Sequence, residues 1–381
     1  MLTSYVTRAS TFIKREIYKR RGFFTNRHIV VIESDDWGCM TVPNKEVYKR
    51  LIEEGIRMEQ SHYSKYDTLE SSDDVEGLLD VLDSVRDSNG SPAVMTLNYL
   101  VANPNYEIIK DCGFESYYYE TIDKTYERYF RGDVVHLIID GMKKGLVLPQ
   151  LHGREHLNIF LWLKYLKEGF DPLKKAFDNR MFAVVATTVT QPMDSVKRSM
   201  YPKSVEELEI NKAQIRDGLK LFKDIWGYES ESFIAPNYAW HPLVEDTLIC
   251  NGIKYLQGGY RQQYYDFNNQ KNVVRYHYMG ERLDNGLICS VRNVEFEPSE
   301  CVSKAQVDSV LRQVSDAFRM GKPCIISTHR VNYCGGLDIT NRDRSFGQLR
   351  ELLNSIVRFY PDVEFMSSTS LFNLMEKDLE K

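Results

Sequence analysis

The feature that most limits what this chain can become is an alternation. Short β-rich runs trade places with longer runs of helical periodicity along nearly its whole length. Nine runs read as strands: HIVVIES (28–34), SPAVMTLNYL (91–100), LVLPQL (146–151), MFAVVATT (181–188), SFIAP (232–236), KYLQGG (254–259), LICSVRN (287–293), PCIIST (323–328) and VEFMSS (363–368). Between them, Lys45–Glu54, Asp74–Arg86, Val205–Trp226, Val302–Met320 and Phe346–Phe359 read as helices. In the longest, Leu208, Ile215, Leu219, Phe222 and Ile225 recur at helical spacing. Strands separated by helices imply βα units and a parallel sheet. A succession of roughly eight such units predicts a closed or nearly closed α/β barrel. A doubly wound open sheet is the competing arrangement.

The chain has 381 residues. That exceeds the usual domain size, but α/β barrels reach it as one domain. No internal repeat or Pro/Gly/Ser-rich linker divides it. One domain is expected over 28–381, with long insertions at 57–72, 103–145 and 260–285. A composition of 43% hydrophobic and 27% charged residues is that of a globular protein able to bury a large core. The net charge of -5 argues against nucleic acid as the main partner. Seven scattered cysteines, an odd count without a CxxC pair, argue against a disulfide framework or a cysteine zinc site. They suggest a reducing compartment. No apolar run reaches the length of about 18 residues needed to span a bilayer. The N-terminus lacks the apolar core of a secretion signal. A cytoplasmic location is the expectation.

Residues 1–27 hold seven Lys/Arg and one acid, Glu16, a net of +6. Leu2, Tyr5, Val6, Phe12, Ile13 and Ile17 fit one helical face. A basic helix packed on its own domain is the first reading. A peripheral contact with an anionic inner membrane surface is the second.

In a barrel, chemistry gathers at the C-terminal ends of the strands. Polar residues that end an apolar run there are the candidates. Asp35 and Asp36 follow the first strand, Asn98 ends the second, and His152 and His156 follow the third. Asn237 follows SFIAP, Asn293 follows LICSVR, and His329, Arg330 and Asn332 follow PCIIST. The histidines of "LPQLHGREHLNIF" are four apart, a spacing that on a helix or tight turn lets both share a metal ion. Two histidines and one carboxylate form a three-ligand site with open positions. One aspartate of the pair can bind the metal while the other acts as general base. A cation relieves the repulsion between them and acidifies its bound water. His329 suits a general acid. Trp37 suits stacking on a ring of the substrate, although packing in the core is its commoner role. The same stretch reads H-x-x-E-H, a zinc-peptidase motif in which Glu155 would be the base.

In order and approximate spacing, "ESDDWG", "HGREH", "IAPNY" and "ISTH" resemble the NodB-homology polysaccharide deacetylases. "SDDWG" is also similar to the "ADDFG" signature of the YdjC-like deacetylases. The resemblance runs from about residue 28 to about 370. It implies a distorted, seven- to eight-stranded (β/α) barrel and metal-dependent removal of N- or O-acetyl groups from sugars, often with zinc. Asp35 is then the base, Asp36, His152 and His156 the metal ligands, and His329 the acid. Three departures stand out. The family's third motif opens with an arginine that orients the base, and here that position is Ile234. No Asp-x-Asp-Trp motif appears; "SVRNVEFEP" sits in its place and offers Asn293, Glu295 and Glu297. The last motif is Ser327-Thr328-His329, followed by Arg330. Deacetylation of a saccharide or sugar precursor for surface polysaccharide is therefore the expected function, with Trp37, Asn98, Asn237, Asn293, Arg330 and Asn332 near the substrate. A non-catalytic carbohydrate-binding relative and a zinc peptidase are the alternatives.

Overall fold

The computed structural model describes residues 14, 16–184, 194–300, 303 and 305–380. The strands in chain order are β1 (Ile29–Trp37), β2 (Met95–Leu100), β3 (Ala102–Pro104), β4 (Tyr119–Thr121), β5 (Val147–Gly153), β6 (Ser232–Ile234) and β7 (Tyr255–Gln257). They continue as β8 (Arg261–Asp266), β9 (Lys271–Tyr276), β10 (Glu281–Arg282), β11 (Ile288–Cys289), β12 (Val294–Glu295), β13 (Cys324–His329) and β14 (Glu364–Met366). The main sheet runs β10-β11-β7-β6-β5-β2-β1-β13-β12, with β14 beside the start of β1. All of its pairings are parallel except β10 with β11.

This order makes the sheet a barrel with one seam. From β1 each neighbour is the next parallel strand in sequence, through β2, β5, β6 and β7 to β11. From the other edge, β12 and β13 lead back to β1. Right-handed βα crossovers produce such a succession. Among the described residues no ladder joins β11 to β12. One extended segment changes sides between them. Ser290 and Arg292 donate their backbone N–H groups to Leu256 and Gly258, while Asn293 and Phe296 donate theirs to Ile325 and Ser327. Arg292 therefore stands in the seam itself.

Strand side chains alternate between faces. Ile29 and Val31 of β1 join Tyr255, Ile288 and Ile325 in an apolar layer at the bottom of the barrel. Leu371, Phe372 and Met375 of the helix Ser368–Leu379 complete that layer, with Phe372 stacked on Tyr255 at 4.5 Å. The next inward positions are polar: Glu33, Thr96, Gln150, Ser232, Gln257 and Ser327, all buried. Above them come Asp35, Asn98, His152, Arg292 and His329. The outward positions, among them Val30, Ile32, Leu97, Leu151, Phe233 and Ile326, pack under the helical layer. There the helix Val205–Trp226 contributes Leu208, Ile215, Leu219 and Phe222, as the sequence periodicity predicts, while Trp226 is buried and the expected Ile225 only partly so. Each such side chain stabilises the fold by about 1.5–3 kcal/mol.

The predicted insertions are structured. Residues 260–285 contain the antiparallel hairpin β8–β9, and 103–145 contain the helices Tyr106–Asp111, Ile122–Arg128 and Val134–Lys143. The run MFAVVATT forms no strand over its described part, Met181–Val184, and the rest of it lies outside the described residues. Of the basic segment predicted over 1–27, residues 1–13 and 15 also lie outside them. Its described end places Phe23 N–H on Met279 O at 2.7 Å. Among the described residues no helix is long and apolar enough to cross a membrane.

Candidate active site

Two adjacent residues of a regular strand face opposite ways. Asp35 and Asp36 do not, because β1 breaks its pattern between them. The register with β2 shifts between Ser34 and Trp37, and Asp36 adopts φ 72. That left-handed conformation costs about 1–2 kcal/mol in most residues, and Asp is among the few that tolerate it. The result turns both carboxylates into one cavity. Gly38 completes the turn, since a Cβ there would meet Leu100 O at 2.3 Å.

The cavity has a volume of about 420 Å³ at the top of the barrel. Asp35, Asp36, His152, His156, Asn237 and His329 all line it. The structure thus collects residues that the sequence scatters over almost 300 positions. His152, next to the last residue of β5, donates Nδ1–H to the carbonyl oxygen of Ile234 at 2.9 Å. That bond turns Nε2 toward the cavity, 3.5 Å from Asp36 Oδ1. His156 Nε2 lies 3.7 Å from the same oxygen. The H-x-x-x-H spacing predicts a helix or tight turn, but the pair sits on a strand end and the loop after it.

Burial alone would raise the Asp36 carboxyl. Its hydrogen bond from His152 and the charges of His156 and His329 hold it well below the usual carboxylate range. Burial lowers His156 to about 4, against the pull of Asp36. At neutral pH the trio is therefore an ionised carboxylate with an unprotonated His156, the state metal ligands need. The three donor atoms lie within 4.8 Å of one another. Ligands on a tetrahedral ion at 2.0–2.1 Å are separated by about 3.4 Å, so the 3.5 and 3.7 Å separations fit one. His156 Nδ1 is buried and has no hydrogen-bond partner among the described residues.

Asp35 is held differently. Arg292 Nη1 donates to its Oδ2 and Nη2 to its Oδ1, both at 2.7 Å, and Asn98 Nδ2 donates to Oδ1 at 2.8 Å. Arg292 Nε donates to Glu33 at 2.6 Å. Burial opposes ionisation of Asp35, but Arg292 and His152 outweigh it and lower the carboxyl to about 2. Across the cavity, His329 Nδ1 pairs with Glu297 Oε1 at 2.5 Å, and its Nε2 stands 4.0 Å from Asp35 Oδ2. Burial disfavours the imidazolium, yet Glu297, Asp35 and Asp36 together push His329 up to about 10. A protonated donor and an ionised acceptor thus face each other beside the histidine pair.

Several expected substrate contacts lie elsewhere. Trp37 is fully buried, donates Nε1–H to Ser34 Oγ at 2.9 Å and packs against Tyr99, so it cannot stack on a sugar. Arg330 is fully buried behind the cavity, clasped by Asp67 and Glu70. Asn332 braces Glu297 at 2.8 Å. Asn293 points out of the barrel, bonded to Pro323 O and to Ile325 N–H, as its parity opposite Arg292 requires. Asn98 reaches Asp35 rather than open space. Glu155, the base of the peptidase alternative, is buried among Arg154 and Gln214 and does not line the cavity.

Sequence reasoning missed Arg292 and the role of Glu297, together with Tyr63, Lys197 and Tyr238, which also line or border the cavity. Arg292 had a signal: a charged residue at an inward position of the run LICSVRN. It gives Asp35 the guanidinium partner that Ile234 cannot. Ile234 serves through its backbone, by orienting His152.

No protein-family model and no curated protein matches the chain. Among solved structures it is similar to a putative polysaccharide deacetylase from Mycobacterium smegmatis, at 12% identity and TM-score 0.43 over 94% of this chain and 93% of that one. A probable polysaccharide deacetylase from Pseudomonas aeruginosa PAO1 aligns at 9% identity and TM-score 0.42, over 91% of each chain. A 4-alpha-glucanotransferase from Thermococcus litoralis aligns at 10% identity and TM-score 0.43; this chain spans only 40% of its length. Likenesses this distant carry no argument about activity.

Proposed function

We propose that the protein is a metal-dependent hydrolase that removes an acetyl group, N- or O-linked, from a saccharide or sugar precursor. One observation carries the reading. Asp36, His152 and His156 converge in a cavity that also holds an arginine-clasped Asp35 and a glutamate-braced His329. A divalent cation of zinc type, held by those three residues, would polarise an acyl carbonyl and acidify a water.

The chain's own residues supply the rest. Asp35 takes the proton of the attacking water on Oδ2, the oxygen that Asn98 leaves free. Arg292 fixes the direction of that carboxylate with two parallel bonds, a geometry lysine cannot reproduce. His329 delivers its Nε2 proton to the departing amine or alkoxide. Glu297 holds the opposite ring nitrogen and keeps the imidazole charged until then. The polar motifs shared with saccharide deacetylases support an acetylated sugar as substrate. The basic residues of 1–27 support action at the inner membrane face of the cytoplasm, which fractionation of tagged protein would test.

Metal analysis of the purified protein, alongside an acetate-release screen over N- and O-acetylated sugars, tests the whole reading. Bound divalent metal with acetate release is expected. Saccharide binding without metal or turnover would replace the hydrolase with a carbohydrate-binding protein.

A further inference from the structure

Among the described residues the charged side chains around the cavity pair off, Lys197 excepted. Arg292 is matched by Asp35 and Glu33, Arg330 by Asp67 and Glu70, and His329 by Glu297. Lys197 also lines the cavity. Among the described residues no carboxylate lies within ion-pair distance of it. Its ammonium instead hangs between two ring faces, 5.9 Å from the centroid of Tyr63 and 5.7 Å from that of Phe182. Tyr63 in turn sets its ring edge-on to His329.

The placement of Lys197 is built. The preceding residue, Val196, is buried and accepts the Asn158 backbone N–H at 2.7 Å. Asp194 and Lys203 pair at 2.7 Å across the same segment. Asn158 lies two residues beyond His156, so the loop that carries a proposed metal ligand also pins the backbone that carries Lys197. An aromatic cradle for an ammonium contributes little where water still reaches it. A partly buried cation facing a cavity gains far more from an anion brought in by a ligand.

We infer that the substrate carries an anionic group, a phosphate or a carboxylate, near the sugar that is deacylated, and that Lys197 is the specificity-determining residue that receives it. This rests on the hydrolase reading above. The ammonium acts as a point charge, so it accepts either anion.

Calorimetric titration of N-acetylglucosamine, N-acetylglucosamine 1-phosphate and an N-acetylated uronic acid into the wild type and Lys197→Met tests this. Acetate release is measured on the same sugars. The wild type should bind at least one anionic sugar about 10- to 100-fold more tightly than the neutral one, the scale of a hydrogen bond to a charged group. Lys197→Met should lose that preference, weakening the anionic sugar about 10- to 100-fold more than the neutral one, and Lys197→Arg should restore part of it. The two anionic arms separate phosphate from carboxylate. Equal binding of all three sugars by the wild type, or equal weakening of all three by Lys197→Met, overturns the inference. Acetate release without anion preference leaves the hydrolase standing and removes only this step. Lys197-dependent anion preference with no acetate from any sugar removes the hydrolase instead.

Discussion

Arg292 grips Asp35 with both arms of its guanidinium, each bond 2.7 Å long, across 257 positions of sequence. Its remaining nitrogen holds Glu33, two residues before Asp35 on the same inward face of β1. The seam of the barrel thus delivers a guanidinium between two buried carboxylates, Asp35 lining the cavity and Glu33 below it. Glu33 is raised by its burial, with Arg292 opposing, while Asp35 stays ionised.

Replacing Arg292 should therefore do two things at once. Arg292→Met leaves two buried carboxylates without their partner, a change that costs about 3–5 kcal/mol. The melting temperature should fall by several degrees. Arg292→Lys keeps the charge but loses the fork, so folding should largely recover while kcat/KM stays at least about 100-fold down, the scale of a misdirected catalytic group. If Arg292→Lys turned over substrate like the wild type, the orienting role would be lost.

The two aspartates should separate by function. Asp36→Ala and His152→Ala each remove a proposed metal ligand and should strip the metal. Asp35→Asn should keep full metal content and lose about 100- to 10,000-fold in kcat, the range of a general base. Metal content by mass spectrometry beside kcat distinguishes the two outcomes. Full metal binding by both Asp36→Ala and His152→Ala would show the centre to be misplaced.

Much of this was legible in the sequence because it rests on local rules. The βα alternation predicts the barrel, and polar residues ending apolar runs predict Asp35, Asp36, His152 and His329 at its top. What failed to show was orientation. Arg330 and Asn332 follow His329 in sequence, yet the short 3-10 turn Arg330–Asn332 swings both into the interior. Arg292 and Asn293 are neighbours, and period-2 alternation sends one inward and the other outward. Parity from Ile288 through Ser290 to Arg292 could have chosen between them, but the seam that makes Arg292 reach Asp35 is a tertiary fact. The left-handed turn at Asp36 is similarly invisible, although it is what turns both carboxylates into one cavity.

Arg330 offers a control on the whole site. Its guanidinium is fully buried between Asp67 and Glu70, with Cys39 O as a further acceptor at 2.5 Å. Arg330→Met should lower stability by about 3–5 kcal/mol, read by denaturant unfolding. Metal content per folded molecule should not change. A variant that kept full stability and lost only sugar affinity would return Arg330 to the substrate.

The pH dependence follows from Glu297. His329 rises from 6.5 to about 10, with burial opposing and the Glu297 carboxylate driving the rise. A raised folded value means the charged ring stabilises the protein fully below about 6.5, and the contribution is lost as pH climbs through about 10. In the proposed mechanism His329 donates that same proton, so activity should persist into alkaline solution and fall as that proton is lost. Glu297→Gln removes the main charge that retains it. The alkaline limb of kcat/KM should then move down by at least one pH unit, with the acid limb in place, because Asp35 ionises near 2 and is gripped by Arg292 rather than Glu297. In the metal-free protein the stability difference between wild type and Glu297→Gln should be largest below pH 6.5 and shrink toward pH 10. An alkaline limb that stays put in Glu297→Gln would mean that His329 is not the acid.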